Sequence, residues 1–281
     1  MTANAPARTR RASASLTRVR QIFLVVAVLG AFTLGARHIL PGEGSRGGSF
    51  DAFCPFGGVE TLYAYLATGH TLKTVNLLTF SILIGVAGVA VVAGRAFCGW
   101  MCPMGGAQEF LAMLARRLSG GKRIRGKPDQ ARFPIRLQPR ADKWLRYLKY
   151  VVLAVVLSAS ATAVYPPLQP LCPARAIFSF KLVTPLLWSV VVTFLLTSIL
   201  VERFWCKYLC PLGAALVVFN KLSPLRVVAD HKRCNDCGRC DHSCPMDIAE
   251  PQDNTRSAEC IRCLECLETC ARPGAVALKL G

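Results

Sequence analysis

Eight cysteines in two matching runs close the chain, and they constrain that segment more tightly than any other feature. The first run is Cys234-x2-Cys237-x2-Cys240-x3-Cys244, followed by Pro245. The second is Cys260-x2-Cys263-x2-Cys266-x3-Cys270. Three cysteines spaced by two residues wrap a tight loop around three corners of a cube. The fourth, three residues on, turns away and ligates the other cluster. On that rule Cys234, Cys237, Cys240 and Cys270 hold one [4Fe-4S] cluster, and Cys260, Cys263, Cys266 and Cys244 hold a second. Proline is absent after Cys270, where Ala271-Arg272-Pro273 follows, which loosens that turn without removing a ligand. Zinc sites draw their cysteines in separated pairs and give no reason for the repeated third and fourth. Residues 223–281 therefore read as a small α+β domain with two clusters.

The remainder of the chain is apolar and basic at once. The 281 residues are 53% hydrophobic, yet the formal net charge is +18. Greasy segments in a membrane with charge confined to loops explain both values. The basic residues flank apolar spans and line no single folded face, so no nucleic-acid partner is expected. Residues 1–21 carry Arg8, Arg10, Arg11, Arg18 and Arg20 with no acid, and read as a disordered basic tail. Four spans follow in residues 22–222: Ile22 to Leu40, Val75 to Ala93, Leu145 to Tyr165 and Leu182 to Val201. Each is long enough to cross a hydrocarbon core of about 30 Å. The expected fold class is an all-α membrane protein with four transmembrane helices in two pseudo-repeats, plus the small ferredoxin-type domain.

Loop charge sets the orientation. The stretch from Arg95 to Arg146 holds twelve Lys/Arg and that from Arg203 to Arg233 holds six. The other two loops hold only Arg37, Arg46 and Lys73, and Arg175 and Lys181. Positive residues stay cytoplasmic. Both termini and the ferredoxin domain are expected inside, and the loops with Cys54 and Cys172 outside.

The membrane part carries a cysteine repeat of its own. Cys54, Cys102, Cys172 and Cys210 are each followed by proline, and Cys98 and Cys206 stand four residues before two of them. Each half thus reads span, outer Cys-Pro, span, inner Cys-x3-Cys-Pro. Proline suits the first turn of a helix, with the cysteine just before it. The positive helix end favours a thiolate there. Cys98, Cys102, Cys206 and Cys210 form an inner set of four that could hold a further iron–sulfur cluster, bind copper or zinc, or act as dithiols. Cys54 and Cys172 form an outer pair, open to a disulfide, copper or a partner's site. His38 and His70 fall near the outer interface and read as polar edge residues. Glu60 and Glu109 follow two of the Cys-Pro turns and read as helix-start charges. The stretch from Gln108 to Leu118 reads as an amphipathic helix on the inner surface, and Lys122 to Arg146 as a lipid-binding basic loop.

Phe97-Cys-Gly-Trp-Met-Cys-Pro-Met-Gly-Gly and Phe204-Trp-Cys-Lys-Tyr-Leu-Cys-Pro-Leu-Gly, with the cysteine-rich tail, resemble the membrane-bound 4Fe-4S polyferredoxins. Members accompany periplasmic nitrate reductase and nitrous-oxide reductase, and related proteins assist maturation of cytochrome oxidase and methylamine dehydrogenase. The resemblance spans residues 22–281. It implies a place in the bacterial inner membrane and electron flow from quinol or a cytoplasmic donor toward a periplasmic redox partner. The alternative it offers is a maturation factor that reduces a metal ion such as copper. The chain lacks the long outer flavin-binding segment of the nitrous-oxide-reductase regulator, and Cys54 and Cys172 are not assignable to every branch.

Overall fold

The computed structural model describes residues 7–37, 55–69, 77–120, 133–162, 172–178, 185–230, 232–248, 257–270, 272 and 274–280. The fold is mostly helical with one small sheet. In the first half, α1 (Ala7–Arg37), α2 (Pro55–Thr68) and α3 (Leu77–Ala93) lead to a five-residue helix, α4 (Ala96–Trp100), and then α5 (Pro103–Leu118). In the second, α6 (Pro139–Thr162), α7 (Pro173–Phe178) and α8 (Pro185–Leu200) lead to α9 (Phe204–Tyr208), α10 (Pro211–Ala215) and α11 (Val217–Leu222). The tail adds β1 (Leu225–Ala229), α12 (Arg239–Ser243), α13 (Glu265–Thr269) and β2 (Val276–Leu280).

Among the described residues, two stretches are long and apolar enough to cross a membrane, Leu16–Arg37 and Pro139–Ala161. Only 22% and 17% of their most apolar windows are buried, so neither is the core helix of a soluble protein. Ile22, Phe23, Val25 and Val26 on α1, and Trp144, Val151 and Val155 on α6, lie open on the surface. The regions read as second and fourth spans contribute shorter apolar helices, Thr79–Ala93 and Pro185–Leu200.

The expectation of disorder over residues 1–21 does not hold for residues 7–21, which are the first turns of α1. The reason is tertiary. Thr17 and Arg20 are buried, Thr17 hydrogen-bonded to Glu268 and Arg20 paired with Glu109 and Glu265. Charge alone, with no acid nearby in sequence, cannot reveal partners some 90 and 245 residues away.

Helix α5 is amphipathic as expected, but in the reverse sense to a surface helix. Gln108, Glu109 and Arg116 are buried, whereas Phe110, Leu114 and Leu118 are exposed. The polar face meets the protein, against α1 and α8, and the apolar face looks outward. A helix in lipid surroundings prefers that arrangement, because its polar groups must find partners inside.

The tail is seated on the helical part. Val86, Ala90, Cys98 and Leu216 share one core with Met246, Ile248, Ile261 and Cys263. The strands close the tail as an antiparallel pair, Leu225 opposite Leu280 and Ala229 opposite Val276.

Candidate iron–sulfur sites

The two tail loops have the same backbone. Asp236 and Arg262, each just before the second cysteine of its run, are left-handed with φ of 47° and 49°. Gly238 and Leu264, each just after it, are left-handed too, with φ of 65° and 63°. A non-glycine residue there costs about 1–2 kcal/mol, yet three of the four positions accept it. This alternation curls the chain about a point and turns successive amides toward it, the geometry that favours a bound anion. Leucine and arginine carry no sequence signal for that conformation, so the match between loops emerges only from the structure.

Each loop borrows one cysteine from the other. One concavity is lined by Cys260, Cys263, Cys266 and Cys244, with Val227, Met246, Ile248 and Ile261. The other is lined by Cys234, Cys237, Cys240 and Cys270, with Asp236, Gly238 and Val276. These are the two groupings expected from spacing. Their surroundings differ: Cys237 is exposed and Cys263 buried. Burial pushes the Cys263 thiol up to about 12. A thiolate there calls for a compensating positive charge, which an iron site supplies.

The inner membrane cysteines are also brought together. Cys98 and Cys206 occupy the middle of α4 and α9, and Cys102 and Cys210 are the N-caps of α5 and α10, each followed by proline. The caps superimpose in conformation, with φ and ψ of −70° and 115° at Cys102 and −71° and 111° at Cys210. Cys102 N donates to Phe97 O at 3.0 Å, and Cys210 N to Trp205 O at 2.8 Å. All six pairs among these four sulfurs lie within electrostatic range. Gln108 Nε2 donates to Cys206 Sγ at 3.2 Å and Gly213 N to Cys210 Sγ at 3.4 Å. Burial pushes the Cys98 thiol up.

Among the described residues, no three His, Cys, Asp or Glu side chains form a group that would hold a single metal ion. The two tail quartets share that property, as expected of thiols that each bond a different iron from outside a cube. Cys172 stands immediately before α7, as the Cys-Pro argument requires, and is half-buried. Cys54, His38 and His70 lie outside the described residues, as does the stretch from Lys122 to Arg132. Glu60 is buried on α2. Glu109 is no helix-start charge: it pairs with Arg20 and with Arg203, whose Nη2 is 2.6 Å away. Burial opposes its ionisation, but Arg203 and Arg20 outweigh that and hold its carboxyl below the usual range.

The second tail loop is clamped onto the inner quartet. Trp100 Nε1 donates to Arg262 O at 2.9 Å. Asn220 Nδ2 donates to Cys260 O at 2.8 Å and to Ser257 and Ala258 O at 3.1 Å, while its Oδ1 accepts from Arg95 N at 2.9 Å. Gly99, inside the Cys98–Cys102 segment, has Ile261 O where a Cβ would stand, so only glycine admits so close a backbone approach. Basic residues just before and within the first turns of α6 serve the same junction. Arg136 pairs with Asp247 at 3.2 Å, Arg146 Nη2 donates to Met246 O at 2.7 Å, and Lys149 pairs with Glu259. Within the stretch read as a lipid-binding loop, Arg136 and Arg146 also hold the tail.

Comparison with known proteins fits this geometry. A 4Fe-4S binding domain matches residues 75–122 and 183–228, one copy over each Cys-x3-Cys-Pro segment. A 4Fe-4S dicluster domain matches residues 226–271. The chain is 30% identical to the ferredoxin-type protein NapH of Escherichia coli (strain K12) over 274 residues, 91% of this chain and 85% of that one. The chain belongs to the polyferredoxin-like family that includes NapH. The polyferredoxin is also 29% identical to YccM of the same organism over 236 residues, 80% of this chain but 62% of YccM, less than two thirds of that protein's length. With the regulatory protein NosR of Pseudomonas aeruginosa it shares 31% identity over 204 residues, 68% of this chain and 26% of that one. No solved structure matches it. The chain thus carries 4Fe-4S binding domains in both its helical part and its tail.

Proposed function

We propose that the polyferredoxin carries single electrons along three cysteine quartets, from an exposed cytoplasmic end to the inner face of a membrane. Cys234, Cys237, Cys240 and Cys270 would hold the first cluster, Cys244, Cys260, Cys263 and Cys266 the second, and Cys98, Cys102, Cys206 and Cys210 the third. A bound [4Fe-4S] cluster supplies a one-electron couple. The observation that carries this reading is the junction: Cys98 of the inner quartet and Cys263 of the second tail quartet sit in one hydrophobic core. The two tail quartets are neighbours in turn, since Cys266 lies within electrostatic range of Cys240.

The exposed Cys237 supports entry at the first quartet, open to a cytoplasmic donor; quinol reaching the inner face is the other donor class. The chain's own residues hold the junction dry and rigid. Asn220, Arg95 and Trp100 fix the loop of the second quartet, and Gly99 lets it approach. The outward apolar faces of α1, α3, α6 and α8 support four membrane-spanning segments, and loop charge argues for both termini inside. On that topology Cys54 and Cys172 lie outside, beyond about 30 Å of hydrocarbon, and delivery is to a periplasmic redox partner that closes the gap.

Anaerobic purification with iron and sulfide analysis and EPR tests the reading. It expects about twelve irons per chain, falling to about eight in Cys206→Ser with both tail signals kept. About eight irons in the unaltered protein would remove the third site.

A further inference from the structure

Two arginines stand at matched places in the two halves. Arg95 lies three residues before Cys98, and Arg203 three before Cys206. Each is the N-cap of its short helix, α4 or α9, and each is fully buried. Each reaches across to the other half. At Gly213 a Cβ would stand 2.9 Å from Arg95 Nη2, and at Gly105 a Cβ would stand 3.1 Å from Arg203 Nη1. Both glycines come three residues after the second cysteine of their segment. So each half sends its guanidinium to the helix start where the other half presents its Cys-Pro.

Part of each guanidinium is satisfied by protein. Arg95 Nη1 donates to Ala258 O at 3.1 Å and pairs with Glu259 at 3.0 Å. Arg203 Nη1 donates to Cys98 O at 3.0 Å, and its Nη2 pairs with Glu109. What remains is Arg95 Nε and Nη2 and Arg203 Nε, buried without a well-aligned acceptor among the described residues, although the Cys98 sulfur lies within reach of Arg95. A buried donor left unmade costs about 1–3 kcal/mol, and matched surplus donors in two diverged halves point to an absent acceptor common to both. Sulfur lies near both: Cys98 and Cys210 are within electrostatic range of Arg95, and Cys206, Cys98 and Cys263 of the second tail quartet are within range of Arg203.

We propose that Arg95 and Arg203 are a matched pair of positioning residues that offer their unpaired N–H groups to the anionic sulfur of an iron–sulfur cluster on Cys98, Cys102, Cys206 and Cys210, and thereby raise its reduction potential. The inference rests on the reading of that quartet given above. Reduction adds one negative charge, so a fixed cation in a low-dielectric site favours the reduced form. Glu259 and Glu109 act in the opposite sense, each offsetting the arginine it holds.

Dithionite titration of the full-length protein, followed by the EPR signal that Cys206→Ser removes, tests this. Arg95→Gln and Arg203→Gln are each expected to shift that signal to lower potential, about tenfold in the reduced-to-oxidised ratio at a fixed poise, or about 59 mV for one electron. Glu259→Gln and Glu109→Gln keep the arginines and are expected to shift it upward. Opposite signs separate charge from packing, since loosening the site by either change would not reverse direction. Unmoved potentials in all four variants would overturn the proposal. Where an arginine variant loses its iron, the glutamate variants decide: a rise supports the proposal and no change refutes it. A protein with about eight irons and no such signal fails earlier, at the quartet itself.

Discussion

The two tail loops share ligand spacing and backbone conformation but differ in surroundings. The first faces outward, with Cys237 exposed and Asp236 and Arg239 along its rim. The second is enclosed by Met246, Ile248 and Ile261 and pressed on α3 and α4. Identical cysteine spacing therefore builds two like loops, while the neighbours decide which is open to solvent and which packs against Cys98. An iron–sulfur potential responds to exposure and nearby charge, so one motif yields two sites with different tasks.

The strongest way to break this contrast is at Gly99. In Gly99→Leu the side chain would collide with Ile261 O. The second loop should lift from the helical part, with hydrogen exchange at residues 257–263 rising at least tenfold while both tail clusters keep their iron. Unchanged protection there would show that the seating does not depend on that approach.

A smaller loss is expected at the ion pairs of the junction. Lys149 is buried against Glu259, and removing one partner of a buried pair costs about 3–5 kcal/mol. Lys149→Met should lower the denaturant midpoint of the intact protein and leave the EPR of the first tail quartet unaltered. Arg136→Ala removes an exposed partner of Asp247, and by contrast should cost about 1 kcal/mol or less.

The finest distinction lies in the loops themselves. Gly238 is left-handed with little beside it, and Gly238→Ala should cost about 1 kcal/mol in the first loop. Leu264 occupies the same place in the second loop and is buried. Leu264→Gly relieves a similar strain but forfeits apolar contact, so denaturation should show a net loss. A gain would mean that the enclosure of the second loop contributes less than its backbone strain.

The ligand groupings could be read from the sequence because cubane ligation imposes short, regular spacing. The paired Cys-Pro turns could be read too, since proline at the first turn leaves a local mark at Pro103 and Pro211. Arg20 could not: its acids lie on α5 and α13, and nothing near it in sequence differs from an ordinary basic tail. The buried polar face of α5 was also hidden, because periodicity gives two faces without saying which looks inward. The basic residues before and at the start of α6 followed the positive-inside pattern so well that their second task, holding Asp247 and Glu259, had no separate signature.

By itself the sequence determined which thiols stand together in the tail, and that apolar helices accompany them. Those features depend on bonds and spacings within a few residues. The tertiary structure decided the order of the sites, the seating of the second loop on Cys98, and the exchange of Arg95 and Arg203 between the halves. These depend on residues as much as 245 positions apart, where only packing and the pairing of buried charge can choose the neighbour.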